Sequence, residues 1–593
     1  MAVPHVARAT PTEPDRPSGR ASGARPRRPR AVTGPVGPRG DASAARPSGQ
    51  GGRRVWQPLA VAGLLLVLSG IPGSPAVADT APPSEGTPAT VGAQSLPTTQ
   101  IDGVAWTQAV VGDIVFVGGE FSSARPAGAE QGTNESPRSN LLAYRLSTGE
   151  LIDGFAPQVN GAVRTLEVSP EGDRLYVGGN FTSIDGANRY RFAVYNTATM
   201  KPVTSVQPTI NSRVDDIAVT ADRVYLVGRF TSMNRQARSG VAVMDRSSGE
   251  LLPWAPVPVN GIASSVAVSP DGATVALAGN FYSINRRANT AGFAGVSSAD
   301  STELRSWPIN RVVTNRGRNA LVSNLSSDGG SLYGTASSYG VRSALEGTFR
   351  LDWASGRTEW IADCHGDAYG IAALDGAVYV AGHSYYCGNI GGMPKSSPIN
   401  YRRGIALSEQ ATGVATADPY GYLNVAGQPS PTQLVWYPDF APGSVTSLKQ
   451  GPWSVATGSG YVVYAGEFPT VSGVPQQGLA RFTSAGTEGS TTAPAVSKGR
   501  FVPTARAEGF GRVRLDWTAN YDLDSERLRY DVIRDGNRNA PVFTTEMSST
   551  FWDRPGMKVT DTGVSAGEHR YRLRVTDPDG NVVWGDTVTV MVW

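Results

Sequence analysis

The chain is poor in the residues on which most enzyme chemistry depends. Its 593 residues include two cysteines and four histidines, and only 17 % are charged. There is no Cys-x2-Cys pair, no His-Glu-x-x-His, no Walker loop and no nucleophile-elbow serine. The usual zinc, metalloprotease, nucleotide-phosphate and serine-hydrolase signatures are therefore missing. Isolated Gly-x-Gly matches carry no information in a chain with 70 glycines. Sustained helical periodicity is absent too, and 42 prolines beside those glycines suit short strands and tight turns. Excess charge is also lacking. The net charge is +3, but residues 1–78 hold eleven arginines against three acids, which leaves −5 on the remainder. The basic balance belongs to the leader, so no nucleic-acid partner is expected.

What is present begins with that leader. Residues 1–50 read as an extended disordered N-region. Arg53-Arg54 closes a positive stretch, and Leu59 to Ile71 is an apolar run too short to span a bilayer comfortably. Ala76-Val77-Ala78 places small residues at both recognition positions, which predicts cleavage before Asp79. Residues 1–78 are thus read as an export signal, the chain's one expected membrane contact, and the mature protein as extracellular or in the cell envelope. An uncleaved anchor is the alternative. Residues 79–93 are read as a linker.

One phrase then recurs. It reads Val117-Gly118-Gly119-Glu120-Phe121-Ser122-Ser123 at first, and Val177-Gly178-Gly179-Asn180-Phe181-Thr182-Ser183-Ile184-Asp185-Gly186 at its fullest. It returns around Phe230 and Phe281, loosely at Ser331–Tyr339 and Ala377–His383, and again at Tyr464-Ala465-Gly466-Glu467-Phe468. Each copy lies among alternating segments joined by turns such as Ser169-Pro170-Glu171-Gly172 and Ser248-Gly249-Glu250. Four strands in about 50 residues, repeated seven times, predict a propeller blade. The last copy shows three strands, so residues 94–102 are expected to supply the fourth and close the ring, hiding both edges. The repeated phenylalanine is expected in the core. The fold class read from these features is all-β, a seven-bladed β-propeller over 94–485.

The Val-Gly-Gly-x-Phe-Thr-Ser-Ile-Asp-Gly phrase resembles the delta-60 repeat family of bacterial β-propellers. The resemblance spans about 104–483 and is strongest in four copies. It implies the fold and an exported or cell-surface setting, and it brings no catalytic set with it.

Residues 486–500 are a second expected linker, rich in Ala, Thr, Pro and Ser. Alternation in Val513–Trp517, Leu528–Val532, Tyr571–Val575 and Val588–Val592 predicts an immunoglobulin-like β-sandwich over 501–593, with Trp517 and Tyr571 in its core. The stretch resembles fibronectin type III domains and, less closely, the cadherin-like group. Asp522, Asp524, Asp577 and Asp579 are hard oxygen ligands on two loops. They suit Ca²⁺, although Asp-Gly-Asn also makes an ordinary hairpin turn, and the turn is preferred. No other cofactor is expected.

The sharpest local feature is Asp363-Cys364-His365-Gly366-Asp367 with His383-Ser384-Tyr385-Tyr386-Cys387. Aligned on the other repeats, both segments fall on one rim. Three readings compete there. The preferred one is a Cys364–Cys387 disulfide, as an oxidising compartment favours. The second is a transition-metal site built from His365, His383 and Asp363 or Asp367. The third is Cys–His nucleophilic catalysis. The same alignment sets Asp102, Asn160, Asn211, Asn260, Asn310 and His365 around the channel rim. Such amides suit a hydroxyl-rich ligand, but Asn equally serves tight left-handed connections. The function expected is binding or adhesion, with carbohydrate or protein held on the propeller rim. The alternative is a secreted enzyme acting on polysaccharide, and a purely structural envelope component is a third possibility.

Overall fold

The computed structural model describes residues 88–305, 307–483 and 490–593. The leader and its cleavage site lie outside these residues. The chain is all-β, built from many small antiparallel sheets, with short 3-10 turns as the helical content of the described residues. Seven sheets follow one plan. The first strand of each pairs with the second, and the second with the third, as in Val163–Val168, Arg174–Gly179 and Phe192–Asn196. A fourth strand lies outermost. It is extended in the fifth sheet (Thr358–Ala362) and shrinks to a single bridge, Tyr195 to Pro202, in the second.

The seven first strands are Val104–Val111, Val163–Val168, Val214–Val219, Ala263–Val268, Ala320–Ser327, Ala368–Leu374 and Pro452–Gly458. Each packs against the next, and the last packs against the first. Side chains tie neighbours together. Thr107 Oγ1 accepts the Leu166 N–H at 3.2 Å, and Ser265 Oγ accepts that of Leu325 at 3.0 Å. Asp216 accepts from Thr165, Ser265 and the backbone of Ile217 and Val266, which spans three sheets.

Every first strand also carries a bulge at the same place. The pairing skips one residue at Trp106, Arg164, Asp215, Ser264, Ser323, Tyr369 and Trp453. This explains the glycine of the repeated phrase. A Cβ on Gly179 would stand 2.1 Å from the carbonyl oxygen of Ala162, two residues before the bulge at Arg164. Gly279 meets Ile262 in the same way, and Gly466 meets Gly451. The glycine leaves room for the backbone kink that a bulge needs. The repeated phenylalanines 121, 181, 230, 281 and 468 are all buried.

The missing fourth strand of the seventh sheet comes from the N-terminal side, at residues 92–96. Gly92 and Leu96 donate to Thr483 and Arg481, each at about 3 Å. The pairing falls within the expected span of 94–102 at Leu96 but begins before it, at Gly92, and ends short of Gln100–Ile101, which has turned away to pair with Arg125 and Ala124. The buried Arg481 holds the junction through Pro97 O (2.7 Å), Thr98 Oγ1 (3.2 Å) and Leu146 O.

The C-terminal region forms two further sheets. Arg512–Thr518 lies between Thr504–Ala507 and Gly556–Thr562. Arg527–Arg534 and Gly567–Thr576 pair at the centre of the other. Val513, Leu515, Trp517, Tyr530, Tyr571 and Leu573 fill the space between them. This region meets the ring at Tyr437, whose N–H donates to Leu523 O at 2.9 Å and whose ring packs 5.1 Å from Phe551.

Candidate functional site

The bulges assemble the site. Each one turns its extra residue toward the space enclosed by the seven first strands, and all seven line a cavity of about 840 Å³. That volume lies within the roughly 300–1,000 Å³ usual for small-ligand sites. Around the ring the order is Tyr369, Trp453, Trp106, Arg164, Asp215, Ser264 and Ser323. Three aromatics are thus contiguous, two charged residues follow, and two serines complete the circle.

On the aromatic side, Trp106 and Trp453 stand 5.1 Å apart between ring centres, and Tyr369 lies 4.4 Å from Trp453. The Arg164 guanidinium covers Trp106 at 4.1 Å. All four side chains are half-buried, and Trp106 Nε1 has no hydrogen-bond acceptor among the described residues. The arc continues outward through His383, 6.1 Å from Tyr369, to Tyr401 and Tyr385. On the charged side, Asp215 contacts Arg213 Nε closely and faces Arg229 Nε at 3.8 Å. Three residues past Arg164 on the same strand, burial pushes Glu167 up to about 8, with the neighbouring Asp216 carboxylate adding to the shift. Burial also raises Asp216 to about 6, against the pull of its four hydrogen bonds.

The residues expected on the rim play several different parts. Asn160 accepts the backbone N–H groups of Thr182 and Ser183, and Asn211 those of Thr231 and Ser232. Asp102 does the same for Ser122 and Ser123. These three brace the following hairpin. Asn260 sits at φ 54° and His365 at φ 41°, so both occupy left-handed connections. Asn310 is misplaced by the sequence alignment. It lies buried in the 3-10 turn Pro308–Arg311 and donates to Phe293 O at 2.7 Å. Counting four residues back from each bulge puts Asn319 at that station instead.

Cys364 and Cys387 are joined in a disulfide. His365 is fully buried beside them. Its Nε2 faces Asp418 Oδ2 at 2.7 Å, and its ring lies 4.2 Å from Tyr422 and 4.6 Å from Tyr386. Burial lowers its pKa, opposed by Asp418. His383 takes another part. Its Nε2 accepts the Asp367 N–H at 3.3 Å, the bond that Asn280 Oδ1 accepts from Ile262 at 2.9 Å two sheets earlier. Asp363 accepts the Glu346 N–H, and Asp367 accepts from Ser338 N and the Tyr369 hydroxyl. The two histidines and these carboxylates therefore meet different neighbours, although Asp363 Oδ2, His365 Nδ1 and His383 Nδ1 find no hydrogen-bond partner among the described residues. Among the described residues no three His, Cys, Asp or Glu side chains are placed to share an ion.

The aspartates of the C-terminal sheets are engaged by neighbouring donors. Asp524 accepts Ala93 N at 2.8 Å and Ser490 Oγ at 2.7 Å, while Asp577 accepts both the backbone and side-chain N–H of Asn581. Burial and then Asp524 push the enclosed Asp522 up to about 8. Asp577, Gly580 and Asn581 close the hairpin turn, with Gly580 N donating to Asp577 O.

Sequence reasoning missed the bulge residues and Asp418. Glycine pairs in a repeated strand were the available sign of a bulge, and the residue opposite them was the one to read.

No family model matches the chain, and no curated protein matches it. Solved structures with partial likeness are mixed. A chain from the crystal structure of the mitotic checkpoint complex is 11 % identical, with a TM-score of 0.32, covering 68 % of this chain and 96 % of that one. Oligogalacturonate lyase in complex with manganese is 12 % identical at a TM-score of 0.34, covering 68 % and 94 %. A functionally unknown protein from Desulfotomaculum acetoxidans DSM 771 is 12 % identical at 0.28, covering 56 % and 89 %. Likenesses this slight say nothing of what this chain does. No helix among the described residues is long and apolar enough to cross a membrane.

Proposed function

We propose that this chain is an exported binding protein, a seven-bladed β-propeller of the delta-60 repeat kind with a fibronectin type III-like sandwich, and that it holds carbohydrate at the mouth of the propeller channel. The carrying observation is the contiguous arc of Tyr369, Trp453 and Trp106 at equivalent bulges, facing a cavity lined by serines and charged groups. Sugars present apolar C–H faces and hydroxyl edges, and such a surface meets both. The ring of first strands and the shared strand order support the propeller, and the disulfide fits an oxidising compartment.

A glycan array on the chain from Asp79 onward tests the reading, followed by titration of the best oligosaccharide into the parent protein and Trp453→Ala. Saturable binding that Trp453→Ala weakens, without turnover, supports it. No glycan binding, or binding indifferent to Trp453, defeats it. An enzyme acting on polysaccharide is the second reading, and Glu167 favours it. Glu167 is a channel carboxyl that burial keeps protonated near neutral pH. Turnover abolished by Glu167→Gln would select that reading.

A further inference from the structure

We propose that the sugar held at the channel mouth bears an anionic group, a carboxylate or a sulfate, and that Arg164 receives it. The inference rests on the carbohydrate reading above and narrows its ligand class.

The mouth is unevenly charged. Arg164, Arg213, Arg229 and Arg318 all line the cavity, and Asp215 is the acid set among them. Asp215 is already engaged by Arg213 and Arg229. Glu167 is kept protonated near neutral pH by burial, and Asp216 is occupied by its four donors. Arg318 is exposed to solvent, whereas Arg164 is half-buried. Among the described residues no acceptor lies within hydrogen-bond or ion-pair distance of the Arg164 guanidinium; the Trp106 face lies 4.1 Å away, and Asp215 and Glu120 act on it from farther off. Burial pushes its pKa down to about 10 and Arg213 adds to the shift, while Asp215 and Glu120 oppose it.

A half-buried cation with no anion in direct contact is costly unless something arrives to pair with it. A guanidinium over an indole spends its face on the ring and keeps the N–H groups at its own edge available, where they match a carboxylate or sulfate in two parallel bonds. The partnerless Trp106 Nε1 is a further donor on the same wall. Stacking and charge recognition thus fall on adjacent bulges, Trp453 and Trp106 for the ring and Arg164 for its substituent. A neutral glycan would leave Arg164 without a contacting anion.

The test titrates three probes of equal length into the chain from Asp79 onward at low salt. These are an oligoglucuronate, its carboxyl-reduced neutral counterpart, and a sulfated oligoglucan. The acidic probes should bind at least tenfold tighter than the neutral one, and the ratio should shrink as salt rises. Arg164→Gln should bring the acidic probes down to the neutral affinity and leave the neutral probe within about twofold. Arg164→Lys, which keeps the charge but loses the fork, should retain part of the preference. Unchanged thermal melting of both variants establishes that they fold. Preference for the oligoglucuronate alone identifies carboxylate as the source, and equal binding of both acidic probes identifies anion charge in general. If the neutral probe binds as tightly as the acidic ones, or Arg164→Gln leaves the ratio intact, the anion inference falls while the carbohydrate reading stands. If none of the three binds, both fall.

Discussion

The first three repeats and the sixth use the same rim in opposite ways. In the early repeats short polar side chains are spent on the backbone, with Asp102, Asn160 and Asn211 each bracing the hairpin of the following unit. In the sixth, His365 and His383 stand at equivalent stations, but the rim is built up with a disulfide, the buried His365–Asp418 pair and a run of tyrosines. Recurring polar residues in this chain mark what the fold requires. The places where repeats differ mark what the surface offers.

That contrast is open to direct attack, and removal of the disulfide is the strongest blow. The bond links residues 23 apart, for which loop closure suggests about 2–4 kcal/mol. Cys364→Ser with Cys387→Ser should lower denaturant stability by that order. No measurable change would mean that the sixth rim is held by its buried pair alone. Next comes Trp453→Ala, which should cost about 2 kcal/mol of glycan affinity, roughly thirtyfold, as an aromatic anchor does. Asn160→Ala, by contrast, should leave affinity unchanged and lower stability by about 1 kcal/mol, because two backbone donors lose their acceptor.

The channel acids sharpen the contrast through pH. Glu167 is raised to about 8, so the folded chain keeps a proton that the unfolded chain releases from about pH 4.5 upward. Its contribution is fully present below that value and is lost as pH rises through about 8. Glu167→Gln should flatten this part of the stability profile. An unaltered slope would place the titrating group elsewhere. The smallest effect is expected of Asn260→Gly. At φ 54° glycine is at ease, so stability should change by a few tenths of a kcal/mol, in contrast to a β-branched replacement.

Much of the frame was legible from the residues. The repeated phrase located all seven second strands, and the buried phenylalanines lie where periodicity placed them. The cysteine pair and the kinship of His365 with Asn260 also followed from alignment, since both positions take left-handed backbone. Asn310 shows where alignment slips. A 3-10 turn at Pro308–Arg311 lengthens the path into the fifth sheet, and counting by similarity alone lands on the wrong asparagine. The cavity-lining bulge residues were hidden for another reason. Trp106, Arg164, Asp215, Ser264, Ser323, Tyr369 and Trp453 share a backbone station and no side-chain type, so a search for sameness passes over them. Asp418 was invisible because it reaches His365 from a loop 53 residues further along the chain.

The central claim is that ligand sits on the aromatic side of the channel mouth. A crystal structure of the chain from Asp79 onward, soaked with an acidic oligosaccharide, tests it most directly. The account predicts a sugar ring against Trp106 and Trp453 with its anionic group at Arg164. Sugar density on the Asn160–Asn211 rim or on the sandwich, with the mouth empty, would contradict it.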